Sequence, residues 1–334
     1  RFLTTGSPEP HAIKGYAFIS VLTVGSPQRV FTPRPVEITA LTSDGQQIST
    51  LINPTCDLYD ARTEYGIEVA DIQFAPILAE AWPAFEAQLN GYVPVGVDID
   101  SQLGYVDAEL KRGGTVAAMP IGISIDPGAL NDHEHRALNA RTAQDRAVAV
   151  WQAAHRLQLR AGAETTPFAH AGHGVGYLLP RGEWPHNLAV EAARVQDLSQ
   201  VEEHLKTAIA RAHLDPDAVQ RIEQAQNLLN ITALTEHDLA HIPSISEVLA
   251  PGVRVCFTGT VVIDGRQWPK EELEDITRRV GYEPVANVTK TRCDVLIVAE
   301  AGTQSRKARN AIEYGKPMFT AQEFLTYLGE LDTP

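Results

Sequence analysis

At 334 residues and 44% apolar side chains, the chain is long enough for two or three domains with buried cores. Its net charge of −14 argues against a protein that grips nucleic acid over its whole surface, because phosphate binding draws on Lys and Arg. Residues 251–334 hold 11 Lys and Arg against 12 Asp and Glu, so nearly all the net charge precedes them and any nucleic-acid contact is expected in the last quarter. No apolar run reaches the roughly 18 residues of a membrane span, and the opening RFLTTGSPEPHAIKG lacks the apolar centre of a signal peptide. Cys56, Cys256 and Cys293 form no CxxC pair and are too few for a disulfide framework. Together these features predict a cytoplasmic protein with no membrane partner.

Residues 1–15 read as an extension. YAFISVLTV (16–24) is a strand-like run closed by Gly25-Ser26-Pro27, VEITALT (36–42) alternates, and Ser43-Asp44-Gly45 turns into QQISTLIN (46–53), giving a three-strand meander. Leu78, Trp82, Phe85 and Leu89 predict a helix over about 74–89, bent at Pro83. YVPVGVDI (92–99) is a short strand, and Ser101 caps a helix stopped by Gly113-Gly114. A single long helix from about 134 to 160 completes a mixed α/β unit over 16–160. Residues 161–250 are expected as a loop and helical connector. PFAHAGHGVGYLLPRGEWPHN is rich in Gly and Pro, and its His170-x-x-His173 has neither a helix nor a nearby Cys to make a zinc site.

Residues 251–334 give strand RVCFT, a helix after Pro269, strands EPVAN and DVLIVAE, helix SRKARNAIEY, strand PMFT and a helix opened by the capping box Thr320-x-x-Glu323. The order βαββαβα suits a small parallel sheet flanked by helices. With Thr258-Gly259 ending the first strand and Lys307 heading the second helix, the segment resembles a BRCT domain, the kind found in bacterial NAD-dependent DNA ligase and the large replication-factor-C subunit. The resemblance implies a phosphate site formed by Thr258, Gly259 and Lys307, with help from Lys270 or, allowing for an apparent two-residue insertion, Arg266. Its ligand would be a DNA 5′ end or a phosphorylated protein.

Residues 16–155 resemble the DEDDh 3′–5′ exonucleases, the family of the epsilon proofreading subunit of DNA polymerase III, which implies a ribonuclease H-like mixed sheet. The landmarks are Glu37-Ile38 and Ala40, Asn53-Pro54, Gly66-Ile67, Ala75-Pro76, Leu103-Gly104-Tyr105 with Ala108-Glu109-Leu110, and His135-Arg136-Ala137-Leu138. Such enzymes hold two divalent ions on four carboxylates while a histidine activates water. Here the resemblance places Leu22 and Val24 at the first two acid positions, Gln102 at the third and Ala140 at the fourth, so only His135 remains of the catalytic set. The stretch NDHEHRALNA (131–140) thus resembles the last exonuclease motif without its metal ligand. The chain is expected to be a degenerate exonuclease with no cofactor, scaffolding DNA ends or proteins in replication and repair. Mg²⁺ or Mn²⁺ enters only in the alternative of an active exonuclease with displaced ligands among Asp98, Asp100 and Asp145. A second alternative is a phosphoprotein-binding adaptor without DNA contact.

Overall fold

The alternating strands at the start of the chain form an antiparallel meander: β1 (Gly15–Val24), β2 (Arg34–Thr42) and β3 (Gln47–Leu51). The structure, a computed structural model, describes residues 12–25, 32–170, 172 and 174–331. Most of the expected extension (1–15), and His173, therefore lie outside the described residues. Two compact units divide the chain, one made of Arg1–Pro54 with Leu58–Gln196 and the other of Thr55–Asp57 with Asp197–Pro334.

In the first unit the meander continues into α1 (Ala61–Tyr65), α2 (Val69–Ile72), α3 (Leu78–Leu89), β4 (Tyr92–Val97), α4 (Ile99–Arg112) and β5 (Ile123–Ile125). After a 3₁₀ turn (Pro127–Ala129) come α5 (Asp132–Ala137), α6 (Ala143–Arg156) and α7 (His186–Val195). The sheet order is β3-β2-β1-β4-β5, antiparallel through the meander and parallel from β1 through β4 to β5. Period two along β1 sends alternate residues to opposite faces. Ala17 and Ile19 join a core with Leu78, Trp82 and Phe85 of α3 and Leu103, Val106 and Leu110 of α4. Phe18 joins Val95, Ile125 and Val150, the last from α6, on the other face. Each large side chain buried this way contributes about 1.5–3 kcal/mol.

Three expectations change here. Ser101, expected to cap its helix, lies inside α4, which starts at Ile99 after Asp98. The single helix over 134–160 is two helices, because Thr142 accepts a bond from the Asp145 N–H at 3.1 Å and caps a new start at Ala143. The part of the expected connector up to Gln196 belongs to the first unit. Leu179 pairs with the backbone of Leu51 at 2.8 Å and with the Thr50 hydroxyl at 2.8 Å, and Phe168 and Leu178 enter the α3–α4 core.

The second unit begins with α8 (Leu198–Arg211), α9 (Pro216–Leu229), α10 (Glu236–Ala240) and α11 (Ile245–Val248). Then follow β6 (Arg254–Thr258), β7 (Val261–Ile263), β8 (Arg266–Trp268), α12 (Lys270–Arg279), β9 (Glu283–Val285), β10 (Val295–Val298), α13 (Arg306–Glu313), β11 (Met318–Thr320) and α14 (Ala321–Tyr327). The main sheet, β11-β10-β6-β9, is parallel throughout. Val255 and Phe257 of β6 pack with Leu273 and Ile276 of α12 and Phe324 and Leu325 of α14, while Cys256 packs with Ala308 and Ala311 of α13. The antiparallel hairpin β7–β8 is additional to the expected order, and it turns on Asp264 and Gly265, both at positive φ. Among the described residues, no helix is long and apolar enough to cross a membrane.

Candidate functional sites

β1 and β4 stay in register from Gly15↔Tyr92 to Phe18↔Val95 and pair no further. Gln102 of α4 takes over where the ladder ends. Its carbonyl oxygen accepts from the Val21 N–H at 2.8 Å, and its amide donates to the Val97 carbonyl at 2.6 Å. This stitch forms part of the wall of a cleft of about 300 Å³ whose polar lining is Ser20, Gln102, His135, Asn139 and Arg146. No carboxylate lines it among the described residues.

The sequence-derived positions are distributed unevenly around this cleft. His135 and Gln102 line it, whereas Leu22 and Val24 are each 1% exposed and lie elsewhere in the core. Ser20, two residues before Leu22 and so on the same face of β1, occupies the cleft in their place. Ala140 contributes its carbonyl, which accepts from Arg146 Nε at 2.7 Å. That bond, a Glu64 carboxylate 3.7 Å from Nη2 and the Tyr65 ring 5.3 Å away hold the Arg146 guanidinium. A hydroxyl, two amides, an imidazole and a guanidinium are poor ligands for Mg²⁺ or Mn²⁺, which take carboxylate, carbonyl and water oxygens.

The displaced acids do not assemble there either. β4 ends at Val97, so Asp98 and Asp100 do not alternate along a strand: Asp98 has a left-handed backbone ahead of α4, and Asp100 is in the first turn of that helix. Asp145 accepts from the Thr142 hydroxyl at 2.8 Å within the α6 cap. Among the described residues, no group of three His, Cys, Asp or Glu side chains is placed to hold a metal ion. Within NDHEHRALNA the buried acid is Glu134. It receives Arg156 Nε at 2.7 Å and Nη2 at 2.6 Å and the Asn131 N–H at 2.9 Å. Those bonds, Arg156 first, lower its pKa to about 2. Glu134 therefore ties α5 to α6.

A second cluster lies at the carboxyl ends of β6 and β10. Lys307 donates to the Phe257 carbonyl at 2.9 Å, and the Thr258 hydroxyl donates to the Ser305 hydroxyl at 3.3 Å. Ser305 caps α13, accepting from the Ala308 N–H at 3.2 Å. Gly259 follows at φ +87°, and a Cβ there would meet the Ala299 Cβ at 2.7 Å, so the turn requires glycine. The bond to the Phe257 carbonyl orients the Lys307 ammonium. The cluster thus offers an oriented cation, two hydroxyls and a helix start, which together suit an oxyanion. Lys270 sits at the head of α12, 3.4 Å from Glu274. Arg266 is on β8, paired with Glu272 at 2.6 Å and 3.9 Å above the Trp268 ring.

Beneath this cluster Cys256 and Cys293 are buried free thiols. A hydrogen bond from Cys293 and the nearby Lys307 ammonium pull the Cys256 thiol below its ordinary pKa, while the Cys293 thiol is pushed up. Sequence reasoning missed Ser20, Asn139, Arg146 and Ser305 as site residues. Ser305 carries a readable sign, a serine immediately before a basic helical stretch. A scan of protein-family models and a search of curated proteins find no match to this chain.

Proposed function

We propose that this chain is a binding protein of DNA replication or repair: a ribonuclease H-like, exonuclease-derived unit without its metal carboxylates, followed by a BRCT domain that takes a phosphate group. The observation that carries this reading is the convergence of Thr258, Ser305 and Lys307 at the carboxyl end of a parallel sheet in βαββαβα order. The first unit supports it from the other side. Its cleft has His135 beside amides, a hydroxyl and a guanidinium and, among the described residues, no carboxylate, whereas a two-metal nuclease needs acids. In the two-metal mechanism the histidine acts on water that the ions hold, so His135 without carboxylates for those ions does not complete that reaction.

The phosphate would sit against the two hydroxyls, with Lys307 supplying charge and the α13 dipole adding to it. Charge-assisted bonds of this kind contribute about 1.5–3 kcal/mol each, so losing the lysine is expected to weaken binding about tenfold or more. The experiment compares 5′-phosphorylated with 5′-hydroxyl DNA, and a phosphopeptide library with its dephosphorylated form, using wild type and Lys307→Ala. The expected result is phosphate-dependent binding by at least one ligand class and its loss in the variant. Binding indifferent to phosphate, or unchanged by Lys307→Ala, overturns the reading.

A further inference from the structure

The second unit holds a larger concavity that the phosphate reading does not use, a groove of about 850 Å³ bounded by the start of α9, the chain before α11, and β11 with α14. Its apolar wall includes Leu214, Ile242, Met318 and Phe319. Met318 and Phe319 are buried, whereas Tyr327 on the rim is 42% exposed, so the groove is an open trough with an apolar floor. An exposed apolar trough of this size marks a place where something binds.

The charge of the wall says what kind. Asp215, Asp217 and Glu323 line the groove, and among the described residues no Lys or Arg does. Among the described residues the other titratable side chains there are His213 and Tyr327. Burial lowers the His213 pKa, and its ring donates to the Met318 carbonyl at 3.1 Å, so it brings no positive charge near neutral pH. Two of the acids are committed to backbone: Asp215 accepts from the Ala218 N–H at 2.7 Å, and Glu323 from the Thr320 N–H at 2.7 Å. The two helix starts, which otherwise favour an anion, are thus already answered by carboxylates. The surrounding segment 197–250 carries nine Asp and Glu against three Lys and Arg, which extends the same sign beyond the groove.

We infer that this groove receives a peptide segment of a partner protein that presents apolar side chains to the floor and Lys or Arg to Asp215, Asp217 and Glu323. An open trough suits a chain passing through it, whereas a small-molecule pocket encloses most of its ligand. The site is independent of the phosphate cluster and survives if that reading fails.

The test uses three labelled short peptides with leucine on one helical face and lysine, glutamine or glutamate on the other, titrated by fluorescence anisotropy. The leucine–lysine peptide is expected to bind, the glutamine form about tenfold more weakly and the glutamate form not at all. Asp217 is exposed and makes no cap bond, so Asp217→Lys removes charge complementarity without removing a helix cap. Thr326→Trp fills the trough, and both variants are expected to weaken the lysine peptide about fivefold or more. Lys307→Ala is expected to leave it unchanged. Equal binding of the lysine and glutamine peptides would leave the groove acids without a role, and equal binding by wild type and both groove variants would make the attraction general to an acidic protein; either result overturns the inference. Concentration-dependent self-association abolished by Thr326→Trp also overturns it and assigns the groove to a second copy of the chain.

Discussion

Gln102 holds a position in the first unit that a carboxylate cannot fill. Where β1 and β4 cease to pair, the strand ends need one acceptor for the Val21 N–H and one donor for the Val97 carbonyl, and a side-chain amide supplies both. A carboxylate has no donor. Gln102→Glu is therefore expected to leave the Val97 carbonyl facing a like-charged oxygen and to destabilise the unit by about 1–3 kcal/mol, read as a lower urea midpoint at unchanged slope. An equal or higher midpoint would mean that the amide does not stitch the strands. At this scale the sequence was partly legible. His135 and Gln102, both singled out in the sequence, line one cleft, but the first strand offered Ser20, Leu22 and Val24 on one face with nothing to say where its pairing with β4 stops. That point depends on the partner strand and lies outside local pattern.

Among the elements, the meander, the short parallel sheet and several helix stops and caps could be read from alternation, Gly stops and capping residues, because those are local chemistry, whereas α1, α2 and the break between α5 and α6 were not read. Thr320 with Glu323 forms the capping box that its spacing announced. Segment 161–196 could not be read, since what orders it is remote. Arg181 reaches Glu37 on β2, with Nη2 to Oε2 at 2.7 Å and Nε to Oε1 at 3.0 Å, across 144 positions. Glu37 is 1% exposed and also accepts from the Ala143 N–H at 3.1 Å, so this one carboxylate joins the sheet, the start of α6 and the segment before α7. Arg181→Ala would leave that carboxylate buried beside a single neutral donor, at a cost of about 3–5 kcal/mol. Thermal unfolding is expected to fall by several degrees, with Glu37→Gln in the same chain recovering part of the loss because the uncompensated charge is gone. If Arg181→Ala melts like wild type, the pair is not what holds the segment to the sheet.

Taken whole, the molecule carries −14, and residues 251–334 are close to neutral with 11 basic against 12 acidic side chains. That division was visible in the sequence, while the boundary between the compact units at Gln196 and Asp197 was not, because the helical pattern runs on across it. The charge bears on how a phosphate ligand would be held. A protein that tracks duplex DNA neutralises many phosphates, and the logarithm of its affinity falls with the logarithm of salt at about −0.9 per contact. Lys307 is one oriented cation, and Arg306 and Arg309 beside it add at most a little more. The remaining surface is acidic overall and repels additional phosphates. For a 5′-phosphorylated DNA the salt slope is therefore expected to lie between about −1 and −2, and lengthening the duplex behind the phosphorylated end is expected to leave affinity unchanged. Titrations across a salt series with short and long duplexes check both. A slope several times steeper, or affinity that grows with duplex length, would require a basic track along the surface and would move the contact away from the Thr258, Ser305 and Lys307 cluster.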